Sequence, residues 1–342
     1  MKHNEVDMEN AEPVEAKVGV FPGISNADYH GGPGISKSGL DKFKSSAAHF
    51  KQSMEDGYTA PTPSQRLGTL AHSFILEHDT FWDYYALPFQ APEGALSTND
   101  DLKARLSELG EKATGTKPVL IERLRAVDPS AVIFDDAKAA YAAEVGDREI
   151  ITHDELEKLE GMRASILAHP KASKLLAPGS GVAELSCYWI DPETGVQCRC
   201  RPDWWRFDGT IVDLKTCRDA SPAGFEKSVW DWGYYKQDPF YQDGSNVAVE
   251  QGENPLNMPA PKAFVFVAIE TVKPHACTVF LLRPESRELG RRDCRTAMNT
   301  YAECLRTDEW PAYSEEIELV GVPEWVLRRE AFEHAEEGVY VA

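Results

Sequence analysis

The chain has 342 residues, enough for one large domain or two modest ones. A hydrophobic fraction of 42% and an aromatic fraction of 10% describe a globular protein with a real core, and no run approaches the roughly 18 apolar residues of a membrane span. The formal net charge of −20 argues against a protein that coats nucleic acid by bulk electrostatics, because phosphates repel it. It leaves room for a site that gathers acidic side chains around metal cations.

Residues 1–19 carry no apolar stretch of the kind a secretory signal needs and read as an acidic, disordered tail. The cysteines are seven, an odd number without a C-x-x-C pair, which points to reduced thiols and a cytoplasmic location. Cys198 and Cys200 are two apart in a strand-like run and share a face, as buried small hydrophobes rather than as a metal site. Basic groups are local: Lys37, Lys42, Lys44 and Lys51, then Arg199, Arg201 and Arg218, then Arg283 to Arg295.

Along the chain, GGPGISKSGL forbids a helix, and Ser36 or Ser38 can cap one that begins near Gly39 and runs through Leu40, Phe43, Ala47 and Phe50. After the loop TAPTPS, QRLGTLAHSFILEH has one apolar stripe of Leu67, Leu70, Ala71, Phe74 and Ile75. Residues 20–95 are thus expected to be helical. Between residues 96 and 128 the character changes. Thr98 or Asn99 can cap a helix that stops at Gly110, and Pro118 sits in the first turn of a second short helix. Leu96 to Val127 holds six basic residues and five acidic ones, in a chain that is otherwise strongly negative. The pair resembles a SAP-type helix–loop–helix, a module often used on DNA. An insertion without a ligand is the other reading.

Residues 129–320 are expected to hold an α/β core. A helical stretch covers 144–176. From Val182 the period changes, and AELSCYWID, GVQCRCRPDWWRF and TIVDLKT read as strands joined by turns at Asp191 to Gly195 and at Asp208-Gly209. A helical stretch from Ala223 to Gly244, the strands AFVFVAIE and HACTVFLL, a helix over 283–305 and a tail over 321–342 complete the chain.

The chemistry is concentrated in RPD, nine residues, then DLK. Residues two apart on a strand point the same way, so Asp213 and Lys215 project together. A hairpin at Asp208-Gly209 brings Asp203 alongside. Two carboxylates and an ammonium suit phosphodiester hydrolysis with Mg²⁺, a hard cation that takes carboxylate oxygens and keeps several waters. Alone, a DxK reads more readily as a structural ion pair. Glu184 can add a third carboxylate. Gln237 and Tyr241, four apart on a helix, share a face. His72, taken alone, reads as a core histidine.

These pieces together resemble the RecE-type exonuclease family, exodeoxyribonuclease VIII, within the PD-(D/E)xK superfamily. The motifs are YHGGPGISKSGL (Tyr29 to Leu40), LGTLAH (Leu67 to His72), AELSCYWIDPETGVQCRCRPD (Ala183 to Asp203), IVDLKT (Ile211 to Thr216), QDPFY (Gln237 to Tyr241) and TDEWP (Thr307 to Pro311). The resemblance implies a restriction-endonuclease-like core, a central mixed sheet flanked by helices. It implies metal ligation by His72, Asp203 and Asp213, a catalytic Lys215, an accessory Glu184, and Gln237 with Tyr241 as a pair that orients the site or contacts DNA. It also implies Mg²⁺ with Mn²⁺ as a substitute, and ATP-independent 5′→3′ digestion of double-stranded DNA ends for phage-type recombination in a bacterial cytoplasm. A homo-oligomer and a single-strand annealing protein as partner follow from it as well. The helical insertion departs from the family's core. No Walker-type G-x-x-x-x-G-K-[ST] occurs. Other readings are a different PD-(D/E)xK endonuclease, including an iron–sulfur type whose cysteine spacing is not found here, and a non-catalytic DNA-binding protein.

Overall fold

The computed structural model describes residues 17–56 and 60–329. In chain order the elements are β1 (Gly19–Phe21), α1 (Asn26–Gly31), α2 (Lys37–Asp41), a 3₁₀ turn (Lys42–Lys44), α3 (Ala47–Glu55), α4 (Pro63–Leu76), α5 (Phe81–Tyr84) and β2 (Tyr85–Ala86). Then come α6 (Asn99–Glu108), α7 (Lys117–Val127), α8 (Phe134–Val145), β3 (Glu149–Ile150), α9 (His153–Ala168), α10 (Ala172–Leu175), β4 (Gly181–Ala183), β5 (Ser186–Ile190), β6 (Gln197–Cys200), β7 (Trp204–Arg206) and β8 (Thr210–Cys217). The chain continues with α11 (Pro222–Asp231), α12 (Tyr234–Gln251), β9 (Ala263–Glu270), β10 (Cys277–Phe280) and α13 (Pro284–Thr307). Two compact units are distinct among the described residues, 17–37 with 60–296 and 38–56 with 297–329.

In the larger unit a five-stranded mixed sheet runs β10-β9-β8-β7-β4, and a three-stranded antiparallel sheet runs β1-β5-β6. β8 lies at the centre of the first. It is parallel to β9, with Asp213 opposite Phe266, and antiparallel to β7, with Trp204 opposite Val212. Its side chains alternate as a strand buried on both faces requires. Val212 and Leu214 pack with Leu70, Ala71 and Phe74 of α4 and with Leu159, Met162 and Ile166 of α9. On the other face Phe266 of β9 meets Phe225 and Tyr234 of α11 and α12, with ring centroids 5.6 and 5.8 Å apart.

Several sequence expectations are corrected. The run AELSCYWID is not one strand: β4 belongs to the five-stranded sheet, β5 to the three-stranded one, and the break falls at Glu184, whose φ is 51°. GVQCRCRPDWWRF is likewise split into β6 and β7 by residues 201–203. Alternating apolar residues look the same whether a strand stays in one sheet or crosses to another, so periodicity hides both breaks. The helix expected through residues 39–50 is interrupted, because Ser46 takes extended geometry and caps α3 by accepting from the His49 N–H. The stretch 223–244 is two helices, since Gly233 adopts a left-handed conformation between them (φ 63°, ψ 33°). The tail expected to residue 19 already meets β1 at Gly19, and its residues 1–16 lie outside the described residues, as do 330–342 of the C-terminal tail.

The helical insertion is a closed module. Thr98 and Asp101 form a capping box on α6, and Pro118 opens α7. Leu102, Leu106, Leu120, Ile121, Leu124 and Ile133 form a core of their own. Its ends meet: Leu96 N–H donates to Val132 C=O (2.8 Å), and Phe134 N–H donates to Leu96 C=O (3.1 Å). The module therefore closes a few residues beyond 128.

In the smaller unit, Phe43 and Phe50 stack with centroids 4.4 Å apart, and Trp310 of the TDEWP motif stacks on Phe50 at 5.8 Å.

Candidate active site

The site forms where β4 and β7 of the five-stranded sheet end beside the middle of β8. Ala183 pairs with Trp204, and Trp204 with Val212. One residue further along, Glu184, Asp203 and Asp213 fall in register, and the Glu184 N–H donates to Asp203 C=O at 3.1 Å. Glu184 and Asp203 thus occupy the two points where the chain passes between sheets.

Asp203 is tied to the central strand: its Oδ2 accepts the Leu214 N–H at 2.7 Å. His72, near the end of α4, brings Nδ1 to 3.5 Å from the same oxygen. Ligand atoms of His72, Glu184 and Asp203 all lie within 4.8 Å of one another.

Asp213 is fully buried, with 0% of its surface exposed. Oδ1 accepts from Gln237 Nε2 at 2.6 Å. Oδ2 lies 2.6 Å from Lys215 Nζ, as an ion pair. Burial, then the neighbouring Asp203 charge, pushes the Asp213 carboxyl up to about 6, against the lowering effect of Lys215. Burial, then Asp203, pushes Glu184 up to about 9, although Arg201 Nη1 stands 3.9 Å from its carboxylate. For Lys215, burial favours the neutral amine, but Asp213, Asp203 and Tyr234 outweigh it and hold the ammonium above its ordinary range.

The structure thus brings together His72, Glu184, Asp203, Asp213, Lys215 and Gln237. Tyr241, one turn beyond Gln237 on α12, packs edge-on to Phe264 at 6.0 Å and makes none of the hydrogen bonds of Asp203 or Asp213. Two further residues emerge. The Tyr234 ring lies 4.7 Å from Lys215 Nζ. Its signal in sequence was only its place three residues before Gln237. Arg201, the first letter of RPD, is locked by Ser186 Oγ (3.0 Å), Asn26 Oδ1 (2.7 Å) and Ile24 C=O (2.5 Å), which fixes the segment between Glu184 and Asp203.

Residues 36–322 match the family described as "PDDEXK-like domain of unknown function (DUF3799)". The chain belongs to this PDDEXK-like family. It therefore carries a nuclease-type domain of the PD-(D/E)xK superfamily. A crystal structure of a candidate exonuclease from Eubacterium rectale is similar over 89% of this chain and 98% of that one, at 12% identity and a TM-score of 0.48. No curated protein matches the sequence.

PDDEXK-like nucleases generally use divalent metal ions. The donor set here fits one: carboxylates from two strand ends and an imidazole converge, with ligand atoms of His72, Glu184 and Asp203 all within 4.8 Å of one another. An oxygen-rich set of this kind suits a hard cation.

Proposed function

We propose that the protein is a Mg²⁺-dependent, ATP-independent deoxyribonuclease that degrades linear double-stranded DNA from its ends, with Mn²⁺ as a substitute cation. The observation that carries this reading is the alignment of Glu184, Asp203 and Asp213 across β4, β7 and β8, with Lys215 beside them. The motif resemblance to RecE-type exonucleases supports 5′→3′ polarity, a homo-oligomer, a single-strand annealing partner and a role in phage-type recombination.

In this reading His72, Glu184, Asp203 and Asp213 hold the cation. When bound, it polarises the phosphoryl oxygen and acidifies water. Lys215 places positive charge beside the phosphoryl group as negative charge develops there. Asp213 keeps that ammonium protonated and aimed. Gln237 fixes the rotamer of Asp213 through Oδ1, so its other oxygen faces the site. Tyr234 sets its ring against the Lys215 ammonium and limits the water around it. The insertion is read as an accessory contact to DNA. Its cations are largely spent on nearby acids, with Arg105 on Asp128 and Glu108, Lys117 on Asp135, and Arg125 on Asp136.

The test is digestion of linear duplexes labelled at the 5′ or the 3′ end, with and without Mg²⁺, beside covalently closed circles. Early release of the 5′ label from linear DNA only, and only with Mg²⁺, is expected. Equal cutting of closed circles makes the protein an endonuclease. Binding without cutting makes it a non-catalytic DNA-binding protein.

A further inference from the structure

Two tryptophans at the corner between α11 and α12 stand out in water. Trp230 is 60% exposed and Trp232 is 68% exposed. Tryptophan is normally among the more buried residues, and two such rings two residues apart need a reason.

The corner that carries them is rigid. Trp232 N–H donates to Ser228 C=O at 3.0 Å, and Gly233 N–H donates to Trp230 C=O at 3.2 Å. The Trp232 C=O accepts from Lys37 Nζ at 2.9 Å, and that lysine is buried. The Trp230 ring is backed by Tyr235, stacked at 5.5 Å and 15°. The Tyr235 hydroxyl is fixed in turn on Asp293 Oδ2 at 2.7 Å. The backbone is thus held while the indoles face outward.

The corner also adjoins the site. Trp232 is two residues from Tyr234, so their Cα atoms lie within about 7.6 Å of each other. The Tyr234 ring lies 4.7 Å from Lys215 Nζ. Cations stand beside the patch: Lys37 Nζ is on the Trp232 carbonyl, and Lys236 Nζ lies 5.8 Å from the centre of the Tyr235 ring. A chain of net charge −20 gains little from bulk phosphate attraction, whereas indole faces offer the stacking surface that unpaired bases use without regard to sequence.

We infer that Trp232, with Trp230 beside it, is a stacking platform for unpaired nucleobases of the strand whose phosphodiester lies at Lys215. This rests on the nuclease reading above and deepens it. Bases inside a duplex already stack on each other, so the platform selects single-stranded or frayed ends.

Binding is measured by fluorescence anisotropy in EDTA, so that hydrolysis plays no part. The probes are a labelled oligothymidylate of about a dozen nucleotides and an abasic oligomer of equal length and phosphate count. The wild-type protein binds the thymidylate at least about tenfold more tightly, as expected for one or more stacked bases. Trp232→Ala removes most of that preference and leaves the thermal midpoint unchanged. Trp232→Phe keeps part of it, and Trp232→Leu does not. Equal wild-type affinity for both oligomers overturns the proposal, and so does a full preference in Trp232→Leu. If Trp232→Ala instead changes the sedimentation of the protein and leaves base preference intact, the rings belong to an interface with a second copy. Digestion of linear duplex by a wild-type protein with no base preference sinks the platform alone. Base preference without any Mg²⁺-dependent digestion sinks the nuclease reading alone.

Discussion

The Asp203 carboxylate accepts the backbone N–H of Leu214 at 2.7 Å. It is thereby fastened to the strand that carries Asp213 and Lys215 on either side of that leucine. The three motif residues are one mechanical unit, and their variants separate chemistry from folding.

Asp203→Asn keeps an oxygen for the Leu214 N–H and removes the charge. Activity on linear duplex DNA in Mg²⁺ falls by about 100-fold or more, as for loss of a group that acts on developing charge, while the thermal midpoint shifts little. A variant with wild-type turnover removes Asp203 from the site.

Gln237 provides the hydrogen bond to Asp213 Oδ1. Gln237→Ala leaves a buried carboxylate oxygen unpaired and costs about 1–3 kcal/mol of stability. Gln237→Glu places an acid where that donor stood and lowers activity further than the alanine variant does. Denaturant unfolding and duplex digestion, run side by side, check both.

Asp191 sets an acid limit on stability. Burial raises its carboxyl, but hydrogen bonds from Arg295 and Thr194 outweigh burial and hold it below the usual carboxylate range. Its folded value is below the unfolded value of about 3.9, so its stabilisation is complete above that pH and is lost as pH falls through the folded value. Asp191→Asn is therefore less stable than wild type at pH 7, and the gap narrows as pH drops below about 4. Denaturant titrations across that range that show a constant gap contradict the linkage.

Gly244 lets α12 lie against β5. A Cβ there meets the Trp189 ring at 2.3 Å. Gly244→Ala destabilises by about 1–3 kcal/mol through overpacking. Because α12 also carries Gln237, activity falls with stability. Unchanged unfolding means that the ring moves aside.

Replacing residues 97–131 with a short glycine linker leaves the rest of the domain folded, because Leu96 already bonds to Val132 and Phe134. Most cations of the module are paired, so the slope of log affinity against log salt falls by no more than about two phosphate contacts' worth. A larger fall makes the module the principal DNA contact, and an unchanged slope makes it structural.

Much of this was legible in the sequence because it rests on local rules. The i, i+2 spacing of Asp213 and Lys215 put them on one face of β8. Thr98 as a cap and Pro118 in the first turn marked α6 and α7, and Gln237 lay one turn from Tyr241 as its spacing required. What was not legible depends on tertiary choice. Nothing in AELSCYWID shows that Glu184 takes a φ of 51°, a region that β-forming residues avoid. Nothing in RPD shows that Arg201 is anchored on Asn26, 175 positions away. The contact of Tyr234 with Lys215 needs the left-handed turn at Gly233, which no periodicity reveals.

The placement of Glu184 and Asp203 at the crossings between sheets has a mechanical consequence. A cation gripped by both residues cross-links the two sheets where the chain passes directly from β4 to β5 and from β6 to β7. Loading Mg²⁺ then slows amide exchange in β5 and β6 as well as in β8, far beyond the ligands themselves, and the protein senses an occupied centre as stiffness.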